Sequence, residues 1–142
     1  MDTASEPKPV VLVVDDDELA AKAVSRVIER QGYTVLTAYS GRKGLEVLAK
    51  NAVDVIVLDV MMPEMTGLEV CRELRQDGRF SDLPVILLTG CDDFETRAAG
   101  MKLGVSEFLC KPFAHHELIA RINNQVEVRR ILRQLDTLAQ QL

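Results

Sequence analysis

Apolar residues along this chain fall into two alternating patterns. Short runs rich in β-branched residues, Val10 to Val14, Thr34 to Ala38, Val53 to Leu58, Val85 to Leu88 and Glu107 to Cys110, read as strands. Longer amphipathic segments separate them and read as helices near 18–31, Arg42 to Lys50, a stretch carrying Leu68, Val70, Cys71 and Leu74, and Asp93 to Leu103. In the first helix Leu19, Ala23, Val24, Val27 and Ile28 share one face, and Gly32 ends it; Gly104 closes the fourth. Strand and helix alternating in this way predict βα units on a parallel sheet with helices on both faces. Val53 to Leu58 is apolar enough to be central.

The last segment breaks the rhythm. Glu117 to Leu142 contains neither Gly nor Pro, and counted from Ala114 it offers 29 residues. At about 1.5 Å per residue such a helix reaches roughly 43 Å, longer than a small domain is wide, so its far half is expected to project. Val128, Ile131, Leu135, Leu138 and Leu142 are spaced 3, 4, 3 and 4 apart, a short coiled-coil seam. At the other end, residues 1–9 are polar with Pro7 and Pro9 and read as a flexible leader.

A length of 142 residues with 47% hydrophobic and 4% aromatic content fits one domain with an aliphatic core. The formal charge of -5 and the absence of a basic run argue against direct nucleic-acid binding. No apolar stretch approaches the roughly 20 residues that span a bilayer, and the first residues do not resemble a secretion signal, so a cytoplasmic protein is expected. Cys71, Cys91 and Cys110 are odd in number and lack metal-ligand spacing, which favours reduced thiols over a disulfide framework or a zinc site.

Right-handed crossovers put the carboxyl ends of all parallel strands on one edge of the sheet. That edge gathers Asp15 and Asp16 after the first strand, Asp59 after the third, Thr89 after the fourth and Lys111 after the fifth. Two carboxylates about 4 Å apart repel by roughly 4 kcal/mol at an effective dielectric of 20, so the three acids call for a compensating cation. Magnesium takes oxygen ligands and often bridges carboxylates to a phosphoryl group, which points to both a metal and a phosphate. Lys111 can neutralise phosphoryl charge, Thr89 can donate to a phosphoryl oxygen, and Asp59, alone at the head of its loop, can attack phosphorus. No Gly-rich cradle of the GxxxxGK[ST] kind is present, so a nucleotide donor is not expected.

Four motifs carry a family resemblance: VLVVDDDE at 11–18, VIVLDVMMPEMTGLE at 55–69, PVILLTG at 84–90 and FLCKPF at 108–113. Over about residues 9–124 the chain resembles a receiver domain of bacterial two-component response regulators. The resemblance implies a doubly wound, flavodoxin-like α/β fold with strand order 2-1-3-4-5. It implies that Asp59 accepts a phosphoryl group from a phosphohistidine on a histidine kinase or a histidine phosphotransfer protein. Asp16, Asp59 and the carbonyl of Met61 would bind Mg²⁺, Asp15 assisting through water, while Thr89 and Lys111 contact the phosphoryl oxygens. The Lys111-Pro112 peptide would be cis, and Phe108 would occupy the aromatic switch position beside Thr89. Gly90 stands where such domains usually carry alanine, and Phe108 lacks the hydroxyl of the tyrosine variant, so its switching would act through packing.

These readings divide the chain into a leader at 1–9, a receiver domain at 10–124 and a projecting helix at 125–142, a candidate linker to an output domain beyond residue 142 or a homodimer contact. Such a domain would catalyse its own phosphotransfer and dephosphorylation without turning over an external substrate. Two alternatives come from other classes. One is a pseudo-receiver that is never phosphorylated and serves as an interaction module. The other is an Asp-nucleophile phosphatase, which would place a second acid two residues after the nucleophile, where Asp59 is followed by Val60 and Met61. Asp17 reads as a helix N-cap, and His115 and His116 as solvent-exposed.

Overall fold

In the computed structural model, which describes residues 7–142, five parallel strands form one sheet in the order β2-β1-β3-β4-β5. The strands are β1 (Val10–Val14), β2 (Thr34–Ala38), β3 (Val55–Asp59), β4 (Val85–Gly90) and β5 (Glu107–Lys111). The helices are α1 (Glu18–Arg30), α2 (Gly41–Lys50), α3 (Gly67–Gln76), α4 (Phe94–Lys102) and α5 (His115–Gln141), with a short 3-10 turn at Gly78–Phe80. Of the leader expected at 1–9, residues 1–6 lie outside the described residues.

Alternation along the strands builds two cores. Leu12, Val14, Ile56, Leu58, Val85 and Leu87 face α2 and α3, meeting Leu48, Val70, Cys71 and Leu74. Val11, Val13, Val55, Val57, Ile86 and Leu88 face the other way, against Ala21 and Ile28 of α1 and Leu118, Ile119 and Ile122 of α5. β3 is buried at all five positions, as a strand covered on both faces must be. This double coverage holds the strands rigidly and leaves their carboxyl ends as the place where polar side chains can be presented.

Caps set the helix starts at that same edge. The Asp17 carboxylate accepts from the Leu19 and Ala20 N–H groups, Ser40 accepts from Lys43, and Thr66 and Glu69 form a reciprocal capping box at α3. Asp93 caps α4 through the Thr96 N–H. At α5 Glu117 accepts from the Ala114 N–H, half of such a box, since alanine has no acceptor to return the bond.

The Arg75 guanidinium on α3 donates to the carbonyls of Phe80, Ser81, Leu83, Leu103 and Gly104, tying the end of α3 to the end of α4 and to the approach to β4. α5 is fastened along its length. Arg121, Asn124 and Gln125 reach Glu107 at the start of β5, and the Tyr33 hydroxyl donates to Asn123. Arg129 donates to the carbonyls of Val53 and Asp54, and Arg133 pairs with the Asp54 carboxylate at 3.4 Å. Beyond Arg129 every residue is exposed, Ile131, Leu132, Leu135 and Leu138 among them. Among the described residues no helix is long and apolar enough to cross a membrane.

Candidate functional site

Two strand ends bring the acids together. Asp15 follows the last residue of β1, with its N–H donating to the Ala38 carbonyl of β2 at 3.1 Å, and Asp59 is the last residue of β3, in register with Leu88 of β4. Carboxylate oxygens of Asp15, Asp16 and Asp59 all lie within 4.8 Å of one another, Asp15 and Asp59 buried and Asp16 exposed. Asp15 accepts from the Asp17 N–H at 3.0 Å, and Asp59 accepts from the Met61 N–H at 3.2 Å. Burial, reinforced by the neighbouring Asp59 charge, pushes the Asp15 carboxyl above its ordinary range, with the Asp17 N–H and Lys111 pulling the other way.

Lys111, at the end of β5, supplies the cation: its Nζ lies 2.9 Å from Asp59 Oδ2. Thr89, next to last in β4, is 1% exposed, and its hydroxyl has no hydrogen-bond partner among the described residues. A buried hydroxyl without a partner costs about 1–3 kcal/mol, so one at a polar edge is a ready donor for an incoming oxygen. The Lys111-Pro112 peptide is cis. Met61 is 74% exposed, and its N–H reaches the Asp59 carboxylate.

Two glycines set the local shape, Gly67 where the sequence reads only loop punctuation and Gly100 inside the segment read as the fourth helix. Gly67 starts α3 and donates its N–H to the Val60 carbonyl at 3.0 Å. A Cβ there would stand 2.5 Å from the Asp59 carbonyl oxygen and 2.9 Å from Val60 Cα, so only glycine lets the returning chain close over the Asp59 backbone. Gly100, inside α4, would place a Cβ 2.8 Å from Cε1 of Phe108. The half-buried Phe108 ring therefore rests on a helix surface from which a side chain has been removed.

The cysteines depart from the sequence expectation of three reduced thiols. Cys91 and Cys110 are joined as a disulfide with Cα atoms 4.9 Å apart, while Cys71 is a free, buried thiol. The reason lies in the register: Thr89 is the partner of Cys110 and Gly90 of Lys111, so the turn that follows Gly90 sets Cys91 beside Cys110. A count of cysteines and their spacing contains no register, so the pairing was not legible from them. His115 and His116 are exposed, and the Asp17 side chain is spent on the α1 cap.

The arrangement gathers three carboxylates, a balancing ammonium and an unsatisfied hydroxyl at one sheet edge. Comparison with known proteins identifies the family. The family profile described as response regulator receiver domain matches residues 11–123. The response regulator MprA of Mycobacterium ulcerans is 46% identical over 112 residues, covering 79% of this chain and 47% of that protein. The chain thus spans about half the length of the curated relatives it matches. Among solved structures, the receiver domain of the Francisella response regulator 1452 superposes with a TM-score of 0.79 at 35% identity, covering 86% of this chain and 99% of that one. The chemotaxis protein CheY4 of Vibrio cholerae gives 0.79 at 33% identity, covering 83% and 98%. With a family match over residues 11–123, a relative 46% identical and a solved receiver domain superposing at a TM-score of 0.79, this chain belongs to the receiver domains of response regulators.

Proposed function

We propose that Asp59 is the phosphoacceptor of this receiver domain, taking its phosphoryl group from a phosphohistidine on a histidine kinase or a histidine phosphotransfer protein. A carboxylate oxygen of Asp59 forms the new P–O bond as the P–N bond to the imidazole breaks, the electron pair leaving with the ring nitrogen. The observation that carries this reading is the Lys111 ammonium 2.9 Å from Asp59 Oδ2 at the centre of the acid cluster. Lys111 holds the acceptor oxygen before transfer and balances phosphoryl charge after it, and the Thr89 hydroxyl donates to a second phosphoryl oxygen.

The oxygen-only donor set of Asp15, Asp16 and Asp59, together with the burial that raises the Asp15 carboxyl, fits Mg²⁺. Asp16, Asp59 and the Met61 carbonyl would hold the ion, with Asp15 acting through water. When bound, the ion supplies charge neutralisation at the phosphoryl oxygens. As Thr89 turns toward the phosphoryl group, Phe108 follows into the space it leaves, and the surface of α4 and β5 changes.

The receiver unit, residues 10–124 in this reading, acts in the cytoplasm and passes the change on through residues 125–142. Exposed Val128, Ile131, Leu135, Leu138 and Leu142 favour a homodimer seam, and the half-length match to relatives favours an output domain beyond residue 142. Gel filtration of the chain with and without beryllium fluoride checks the dimer, which should form or strengthen with the mimic. For the acceptor itself, Asp59→Asn should abolish labelling from acetyl phosphate with Mg²⁺. Full labelling of that variant would move the acceptor to another residue.

A further inference from the structure

We propose that Cys91 and Cys110 are a reversible redox pair whose oxidation restrains the phosphoryl switch, an inference that rests on the receiver reading above. The two sulfurs bridge the rim of the sheet between β4 and β5, next to the site on both sides. Thr89 lies two residues before Cys91, and Phe108 lies two residues before Cys110. Phe108 and Cys110 are two apart within β5 and so share a face, and Cys110 is the register partner of Thr89, while Cys91 stands in the turn that closes β4. The span between the cysteines, a separation of 19, contains α4 and most of β5, the segment whose surface is to change. A covalent tie at both feet of that segment fixes the spacing of the Thr89 and Lys111 strand ends.

The pair is placed for exchange chemistry. Cys91 is exposed and Cys110 half-buried, and Arg97 Nη2 lies 3.2 Å from Cys110 Sγ, a cation beside a sulfur in the setting that makes cysteine reactive. Cys71 is the contrast: it is 1% exposed, and burial pushes its thiol up to about 11. The oxidant is a low-molecular-weight disulfide. One cysteine sulfur attacks it, forming a mixed disulfide and releasing one small thiol; the second cysteine sulfur then displaces the other. Two protein thiols are oxidised to one disulfide, the small disulfide is reduced to two thiols, and the two protein protons leave with them.

The test uses the full chain equilibrated either with glutathione disulfide or with excess dithiol. Thiols are counted with a maleimide after unfolding, and the concentration of beryllium fluoride that half-saturates the folded protein with Mg²⁺ is measured by calorimetry. The reduced chain should label at three cysteines and the oxidised chain at Cys71 alone. The oxidised chain should need at least about fivefold more beryllium fluoride, the lower end of ordinary coupling between sites. Cys110→Ser should lose this dependence on oxidant, and Cys71→Ser should keep it. Three reactive thiols after oxidation, or equal half-saturation in both states, would overturn the proposal while leaving the receiver reading intact. A reduced chain that binds no beryllium fluoride would overturn both, and the independent thiol count tells that outcome apart.

Discussion

Asp15→Asn should make the metal-free protein more stable and its response to magnesium weaker. Asp15 and Asp59 are 6% and 4% exposed, with carboxylate oxygens inside 4.8 Å. At that separation and an effective dielectric of 20 their repulsion is about 3.5 kcal/mol. The Asp17 N–H and the Lys111 charge offset part of it, so removing the Asp15 charge should gain about 1–2 kcal/mol, or roughly 3–6 °C in Tm. An asparagine oxygen can still accept from the Asp17 N–H, which keeps the loop in place. The folded state holds the Asp15 proton more tightly than the unfolded chain does, because burial raises this carboxyl. Its contribution to stability therefore falls as pH climbs from the unfolded carboxylate range through the higher folded value, and the cost is complete above that value. The variant should lack this decline.

Magnesium removes most of that advantage. At a hundred times its Kd, the ion stabilises the wild type by about 2.7 kcal/mol, and a tenfold weaker site retains only about 1.4 kcal/mol at the same concentration. Urea unfolding with and without MgCl₂ at several pH values reads all of these quantities. A variant no more stable than the wild type without metal, or one with an undiminished magnesium shift, would refute the assignment of Asp15 to the cluster's electrostatic cost.

Gly67→Ala should cost about 2–3 kcal/mol, because its Cβ meets Asp59 and Val60 backbone that has nowhere to move, and acetyl phosphate labelling should fall with it; unchanged stability and labelling would mean the loop has slack. Gly100→Ala should stay within about 1 kcal/mol of wild type, since better helix propensity offsets the clash with a movable ring edge, yet the NMR signals of Phe108 should shift; static Phe108 signals would dissociate the glycine from the ring. Arg75→Ala should lower stability by about 2–4 kcal/mol in urea titration by leaving carbonyls of three segments without their donor, and a loss under 0.5 kcal/mol, about the effect of a neutral surface change, would show the bonds to be replaceable by water.

The strands and the polar residues that end them were legible because burial on both faces leaves an unbroken apolar signature, as in Val55 to Leu58, and a carboxylate directly after it stands out. Convergence of Asp15, Asp16, Asp59 and Lys111 followed from handed crossovers alone, without any distance. Other features depend on how two segments meet. Gly67 matters for its distance to the Asp59 carbonyl, Gly100 for its distance to Phe108, and Cys91 for the register between β4 and β5. Arg129 and Arg133 appear in the sequence as exposed positions on a long helix. In the fold they reach Asp54 at the start of β3, so the helix remains attached past the point where its own apolar face ends.

That attachment gives α5 the mechanics of a lever with its fulcrum on the sheet. It begins four residues after Lys111, on the rim that carries the acids, and runs down past the opposite rim, where Arg129 and Arg133 grip Asp54. From Arg129 to Leu138 the free arm is about 13.5 Å, so a tilt of about 5° about that attachment moves Leu138 by about 1.2 Å. Only the residues past that grip are free to travel, so whatever reorients α5 at the Lys111 rim is felt at Leu138 as a shift of about an ångström rather than as a free swing.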